Sequence, residues 1–298
     1  MTINTLQPGG KEFWNFPRAR PILRAAKTLI MGIVNVTPDS FSGRNSVPDA
    51  KNGAELALSL LGAGADIIDI GAESSRPGAE TLASDEEINR LGDVVARVRA
   101  RTDAPISVDT YHPATAAYVL DQGADIINDI TALRGGWGRA DRHNTEMARL
   151  IAGRGAHVIL MHMPEAPGTM QDSPEYEDVV AAVREFLIEQ AELGERAGIP
   201  REKIWLDPGF GFGKNFRHNR ELLMRLLVFS EAGFPVAVGL SRKRMIADAL
   251  NLPVDERLEA SLSLAVIASL TGADLVRVHD VKETARAVAM ADAIRHED

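Results

Sequence analysis

Asn128 and Asp129 stand where an apolar run should continue. The stretch GADIINDI (residues 123–130) enters through Ile126 and Ile127 like a buried strand, then turns polar. An amide and a carboxylate are costly in an apolar interior unless something satisfies them. They either face water at a strand end or face a polar ligand. The same figure recurs along the chain, where apolar runs lead into Asn35, Glu73, Asp109, Asn128, His162, Asp207, Lys243 and the Arg277/His279 pair. Taken singly, an Asp or Asn behind a strand serves as a helix N-cap or a turn residue. Taken together, these side chains call for a scaffold that gathers many strand ends in one place.

Short apolar runs supply that scaffold: LIMGIVNV (29–36), DIIDIGA (66–72), PISVDT (105–110), DIINDI (125–130), AHVILMH (156–162), KIWLDP (203–208), PVAVGLS (235–241) and DLVRVHD (274–280). Helical periodicity fills the intervals, as in Ala54, Leu56, Ala57, Leu60 and Leu61 or in residues 179–191. Gly-Ala-Asp opens three of the joints, at Gly64, Gly123 and Gly272, and glycine suits a helix C-terminus that needs positive φ. Continuous rather than alternating apolar strands indicate a parallel sheet covered on both faces. Eight of them alternating with helices predict an α/β fold, a (β/α)8 TIM barrel. A doubly wound sheet would have fewer strands and a Gly-rich first turn, which is absent here. Residues 1–28 read as an N-terminal lead-in across the barrel floor and 29–298 as a single barrel domain. Polar groups at the C-terminal strand ends of a barrel converge on its mouth, where chemistry is done. Asn128 is therefore expected to face a ligand.

Composition narrows the classes. The chain has 298 residues, 45% hydrophobic, and a formal charge of -9, which argues against nucleic-acid or anionic-membrane partners. Cysteine is absent, so disulfides, thiol nucleophiles and Cys-ligated zinc are excluded. The start, MTINTLQPGGKEFWNF, has no apolar signal core, and no run reaches the ~18 apolar residues of a membrane span; a soluble, cytoplasmic protein is expected. Asp109, Asn128 and Asp207 offer acceptors and a donor with no catalytic serine or cysteine nearby. That set suits a flat heterocycle rich in N–H groups, with a carboxylate bridging an amino-pyrimidine edge. DPGFGFGKN (207–215) is Gly-rich but lacks the Walker lysine spacing. SRKR (241–244) opens a helix, and three cations there repel one another unless an anion or polar ligand is present. Arg277 and His279 alternate on the last strand and project to one side. With Asn35 they could hold a diphosphate and a Mg2+, an ion that favours oxygen ligands. No HxH or HExxH spacing supports a metal held by protein alone.

In order along residues 29–281, MGIVNVTPDSFS (31–42), GAESSRPGA (71–79), SVDT (107–110), IND (127–129), LMHM (160–163), DPGFGFGKN, GLSRK (239–243) and RVHDV (277–281) resemble the dihydropteroate synthase family. The resemblance implies condensation of 6-hydroxymethyl-7,8-dihydropterin diphosphate with p-aminobenzoate, by loss of diphosphate and attack of the aniline nitrogen. It implies that Asp109, Asn128, Asp207 and Lys243 hold the pterin, with Met161 packed against it. Asn35 would ligate Mg2+, and Arg76, Arg277 and His279 would take diphosphate oxygens. Ser75, Pro77, Phe212 and Arg244 would border the aminobenzoate, and segments 36–48 and 72–82 would close over the site. A homodimer is the family expectation.

The chain also departs from the family pattern. Gly43 and Arg44 replace the usual Asp-Gly after TPDSFS, leaving Asp39 or Asp49 to supply the loop carboxylate. Ser74-Ser75-Arg76 replaces Ser-Thr-Arg and keeps a hydroxyl, and Pro164 stands where a Gln is common. RGGWGRADRHN (134–144) is longer than usual and reads as a surface insert or a lid. Arg244 occupies a position where the family often has serine; it either points into solvent or reaches the aminobenzoate carboxylate. Pterin-binding methyltransferases of corrinoid systems share the barrel and the pterin-holding Asp and Asn, but should lack both SRK and RVHDV. A non-catalytic pterin-binding protein is the other alternative, supported only by the altered segment after Phe41.

Overall fold

A computed structural model describes residues 13–14, 22–23, 27–36, 50–73, 82–136, 145–165 and 174–295. Eight strands form the sheet: β1 (Leu29–Asn35), β2 (Ile67–Gly71), β3 (Ile106–Asp109), β4 (Ile126–Asp129), β5 (His157–Met161), β6 (Ile204–Asp207), β7 (Ala237–Gly239) and β8 (Leu275–Val278). They run parallel, β1 through β6 pair in chain order, and β8 lies between β7 and β1. A parallel bridge between Leu206 and Val236, with Leu206 N–H donating to the Pro235 carbonyl at 2.9 Å, joins β6 to β7 and closes the ring. Each of the eight apolar runs is a strand, and the architecture is the barrel that their pattern predicts.

Both faces of each strand are covered, which is why the runs are continuously apolar. Leu29, Met31, Ile67, Ile126, Ile159, Trp205, Ala237 and Leu275 pack together as an apolar plug inside the barrel. The alternate residues, among them Ile30, Val34, Ile68, Ile70, Val108, Ile127, Val158, Leu160 and Val276, pack under the surrounding helices. The chain resumes β-structure through glycines in the left-handed region, with φ of 110° at Gly64 and 114° at both Gly123 and Gly272.

The aspartate of each Gly-Ala-Asp joint has a job that the glycine reading alone does not reveal. Asp66 accepts from Ile30 N–H (3.0 Å), Asp125 from Ile106 N–H (3.0 Å) and Asp274 from Val236 N–H (2.8 Å). Each carboxylate thus reaches back to the preceding strand and satisfies a buried backbone donor at the barrel floor. Asp292 does the same for Thr28, whose N–H donates to it at 2.8 Å. Ahead of β1, Phe13–Trp14 pairs antiparallel with Ile22–Leu23; residues 1–12, 15–21 and 24–26 of the lead-in, and with them its expected path across the floor, lie outside the described residues.

Candidate active site at the barrel mouth

The two polar residues that end β4 part company. Asn128 is buried, and its Nδ2 donates to Asp69 Oδ2 of β2 at 3.3 Å. Asp129 serves the following turn instead. It accepts from Thr131 N–H (2.8 Å), Thr131 Oγ1 (2.7 Å) and Leu133 N–H (2.9 Å). That carboxylate holds a turn in which Ala132 (φ 52°) and Leu133 (φ 63°) sit in the left-handed region. Of the pair, only Asn128 is available to a ligand in the barrel.

Asn35, Gly71, Asp109 and Asn128 are successive register partners across β1 to β4, so they form one ring at the mouth. Arg277 reaches this ring from β8. Its Nε donates to Asp69 Oδ2 at 2.6 Å and its Nη2 to Asp109 Oδ2 at 3.2 Å. Burial pushes the Asp109 carboxyl up to about 7, with Asp69, Glu87 and Glu73 adding to the rise and Arg277 opposing it. Burial also raises Asp207, against the opposing pull of Gly209 N–H, Lys243, Lys214 and Arg277. The mouth therefore holds buried carboxyl groups whose charge the protein compensates only in part, and an N–H-rich ring would supply further donors.

The Gly-rich segment behind β6 shapes one wall. A side chain at Gly209 (φ 69°) would put its Cβ 2.0 Å from the His162 carbonyl oxygen, so only glycine lets this loop lie against the end of β5. Lys214 is buried beneath it and donates to the carbonyls of Phe212 (2.8 Å) and Gly209 (3.0 Å), with His162 Nδ1 at 2.9 Å. Burial lowers the Lys214 amine to about 7 and holds the His162 imidazole well below its ordinary value. Lys243 Nζ sits 3.8 Å over the Phe212 ring, and Phe212 packs with Tyr111, Ile130, Met161 and Met163. A flat aromatic ligand would find an apolar wall here and polar edges opposite.

The family described as pterin binding enzyme matches residues 31–279 of this sequence. The dihydropteroate synthase of Escherichia coli (strain K12) is 47% identical over 267 residues, covering 89% of this chain and 90% of that protein. The Yersinia pestis dihydropteroate synthase, solved as a sulfonamide drug complex, superposes with a TM-score of 0.86 at 39% identity, covering 95% of this chain and 99% of that one. The Xanthomonas albilineans dihydropteroate synthase, solved with 4-aminobenzoic acid, has a TM-score of 0.83 at 38% identity, covering 95% and 100%. The chain belongs to the dihydropteroate synthases.

In this dihydropteroate synthase fold, the residues singled out by sequence fall into distinct groups by position. Asn128 and Arg277 meet at Asp69 and Arg277 also donates to Asp109, while Met161, Phe212 and Lys243 form the opposite wall; Met161 is the register partner of Asp207. Asn35 ends β1 half-buried, and His279 Nδ1 lies 3.1 Å from Ser241 Oγ. Ser75, Arg76 and Pro77, together with Asp39, Asp49 and Trp137, lie outside the described residues.

The repulsion expected among the SRKR cations is relieved within the chain. Arg242 (φ 57°) turns to Asp280, at 2.6 and 3.0 Å, while Arg244 is 78% exposed with Asp248 at 3.5 Å. Separate carboxylates relieve the repulsion, and of the three only Lys243 lies against Phe212. Arg134, the first residue of the supposed surface insert, is buried; it donates to the carbonyls of Thr131 and Met163.

Asp69 and Lys214 were not among the expected site residues. The signal for Asp69 was a carboxylate inside the apolar run DIIDIGA, the same anomaly that exposed Asn128. The signal for Lys214 was weaker: a lysine closing a Gly-rich loop without the phosphate-binding spacing.

Proposed function

We propose that the chain condenses 6-hydroxymethyl-7,8-dihydropterin diphosphate with p-aminobenzoate, giving 7,8-dihydropteroate and diphosphate in folate synthesis. The observation that carries this reading is Arg277, which crosses from β8 to Asp69 and Asp109 beside Asn128. One mouth thereby combines donor-hungry carboxyl groups with a cation that has further N–H groups. The pterin edge would meet Asp109, Asn128 and Asp207, its faces would meet Met161 and Lys243, and the diphosphate would meet Arg277, His279 and Arg76. When the C–O bond to diphosphate breaks, the electron pair leaves with the diphosphate, and these cations stabilise that charge. The Asp207 carboxylate stabilises the pterin methylene cation left behind. The aniline nitrogen then donates its lone pair to the methylene carbon and loses a proton. No strong base is required for the attack, because an aniline is neutral at pH 7. Ser75, Pro77, Phe212 and Arg244 would border the aminobenzoate, which a sulfonamide would displace.

The donor set also fits Mg2+. Among the described residues no group of three or more His, Asp or Glu could hold a metal. The half-buried Asn35 amide offers a single oxygen, which suits an ion that keeps waters and takes phosphate oxygens. Mg2+ held by Asn35 and the substrate would supply further charge neutralisation on the diphosphate.

A homodimer is supported by apolar side chains left exposed on neighbouring helices: Ile267 and Leu270 on Leu258–Thr271, Met290 and Ile294 on Val281–Arg295. Leu270→Glu combined with Ile294→Glu should yield monomers in sedimentation if a second copy covers this face. Among the described residues no helix is long and apolar enough to cross a membrane, which is compatible with a cytoplasmic location.

Diphosphate release, measured with and without p-aminobenzoate, tests the reading. A synthase releases diphosphate and forms dihydropteroate when both substrates are present. Pterin binding without any release would instead mark a non-catalytic pterin protein or a methyltransferase.

A further inference from the structure

Asp69 lies one layer below the mouth, two residues before Gly71, and is the register partner of Ser107 on β3. It is wholly buried, and its neighbours on the strand are Ile67, Ile68 and Ile70. Its Oδ2 carries two bonds, from Arg277 Nε at 2.6 Å and from Asn128 Nδ2 at 3.3 Å, while Oδ1 has no hydrogen-bond partner. A carboxylate in this place is a poor choice for stability, since a well-packed aliphatic side chain avoids the desolvation cost. What Asp69 supplies instead is geometry. It ties together two groups that arrive from β4 and β8, on opposite sides of its own strand.

We propose that Asp69 is a positioning residue for the condensation, holding Arg277 and Asn128 in the poses in which they meet the pterin diphosphate. The inference rests on the reading of the mouth as the pterin diphosphate site. Arg277 spends one N–H on Asp69 and one on Asp109; its other three have no protein partner among the described residues. Without Asp69, Asp109 is the other carboxylate within reach, and a guanidinium forks onto a single carboxylate in bidentate fashion. That collapse would withdraw a cation from the diphosphate and a carboxylate from the pterin in one move. Asn128 depends on Asp69 as well. Donation from Nδ2 leaves the amide oxygen as an acceptor for a ligand N–H, and without Asp69 the amide is free to flip.

Asp69→Asn keeps the shape and removes the charge. Diphosphate release should lose at least about tenfold in kcat/KM, the scale of one charge-assisted bond. Calorimetry of bare 6-hydroxymethylpterin across pH gives a readout that packing alone does not move. Asp109 faces Arg277, Asp69, Glu87 and Glu73. Removing one of the three negative neighbours lets Asp109 ionise more readily, so the acid limb of pterin binding should shift to lower pH. Asp69→Glu keeps the charge but displaces it by a methylene; turnover should fall while the acid limb stays in place. Unsubstituted kcat/KM in either folded variant overturns the proposal, as does an unmoved acid limb in Asp69→Asn. If Asp69→Asn does not fold, the turnover of Asp69→Glu decides. Failure of the unsubstituted chain to release diphosphate would refute the parent reading, a result distinct from equal activity of the variants.

Discussion

At the floor of the barrel, Asp66, Asp125 and Asp274 each receive a backbone N–H from the strand before, and Lys27 and Arg99 add cations to the first two at 2.5 Å. At the mouth, Asp69, Asp109 and Asp207 crowd towards Arg277, and burial raises two of them, Asp109 and Asp207. Both ends use the same residue type, and β2 brings one to each, Asp66 just before it and Asp69 within it. The chain itself satisfies the floor carboxylates, which therefore hold the barrel closed. The mouth carboxylates are compensated only in part, with Asp69 Oδ1 lacking a hydrogen-bond partner, and a ligand that brings N–H groups adds to what folding supplies. Stability is concentrated at one end and binding capacity at the other.

Substitution should separate the two ends. The largest effect is expected for Asp109→Asn and Asp207→Asn. Each should weaken pterin diphosphate binding by up to about a hundredfold, the worth of a buried charge-assisted hydrogen bond, with no loss of folding stability. Calorimetry checks the affinity, and unchanged binding in both variants would remove them from the pocket. Asp125→Ala should do the reverse. It strands Ile106 N–H and the half-buried Arg99, at a cost of about 2–3 kcal/mol in denaturant unfolding, while pterin affinity per folded molecule stays constant. A large affinity change without lost stability would break the contrast between the ends.

The third effect is in pH dependence. Asp109 and Glu87 are both raised to about 7, chiefly by burial, so between the ordinary carboxylate range and pH 7 the folded chain binds more protons than the unfolded one. Stability from these groups is accordingly greater below that window and declines as pH rises through it. Asp109→Asn should flatten part of that decline, leaving the share of Glu87. In the same window, pterin affinity should move the opposite way and weaken as Asp109 takes up its proton on acidification. Thermal midpoints and calorimetry from pH 5 to 8 follow both.

The smallest effect belongs to Arg244, exposed beside Asp248. If its guanidinium assists the aminobenzoate carboxylate, Arg244→Ser should raise that KM by no more than about fivefold, the limit of an exposed ion pair of ~1 kcal/mol, and the difference should vanish in high salt. A KM that does not move assigns Arg244 to solvent alone.

Much of this contrast is legible in the sequence. Eight apolar runs with polar tails predict the barrel because strand burial on both faces leaves a direct trace in residue type. The tails at Asp109, Asn128 and Asp207 follow from the same trace. Asp129 shows where that reading stops, since adjacent strand residues point to opposite sides and only the structure shows that Asp129 serves its own turn. The cations of SRKR show the limit again. Their adjacency shows that compensation is needed but not its source, and Asp280 and Asp248 pair with Arg242 and Arg244 separately.

Strand length, helix periodicity and the Gly-Ala-Asp joints depend on residues a few positions apart, so the sequence by itself determined them. The partners of the buried charges did not depend on neighbours in the chain. Asp69 and Arg277 are 208 residues apart, Asp69 and Asn128 are 59 apart, and Lys214 meets His162 across 52. Hydrogen bonds act over about 3 Å, so these pairings exist only once the strands have assembled, and that of Asp69 with Arg277 only once β8 has come round to β1.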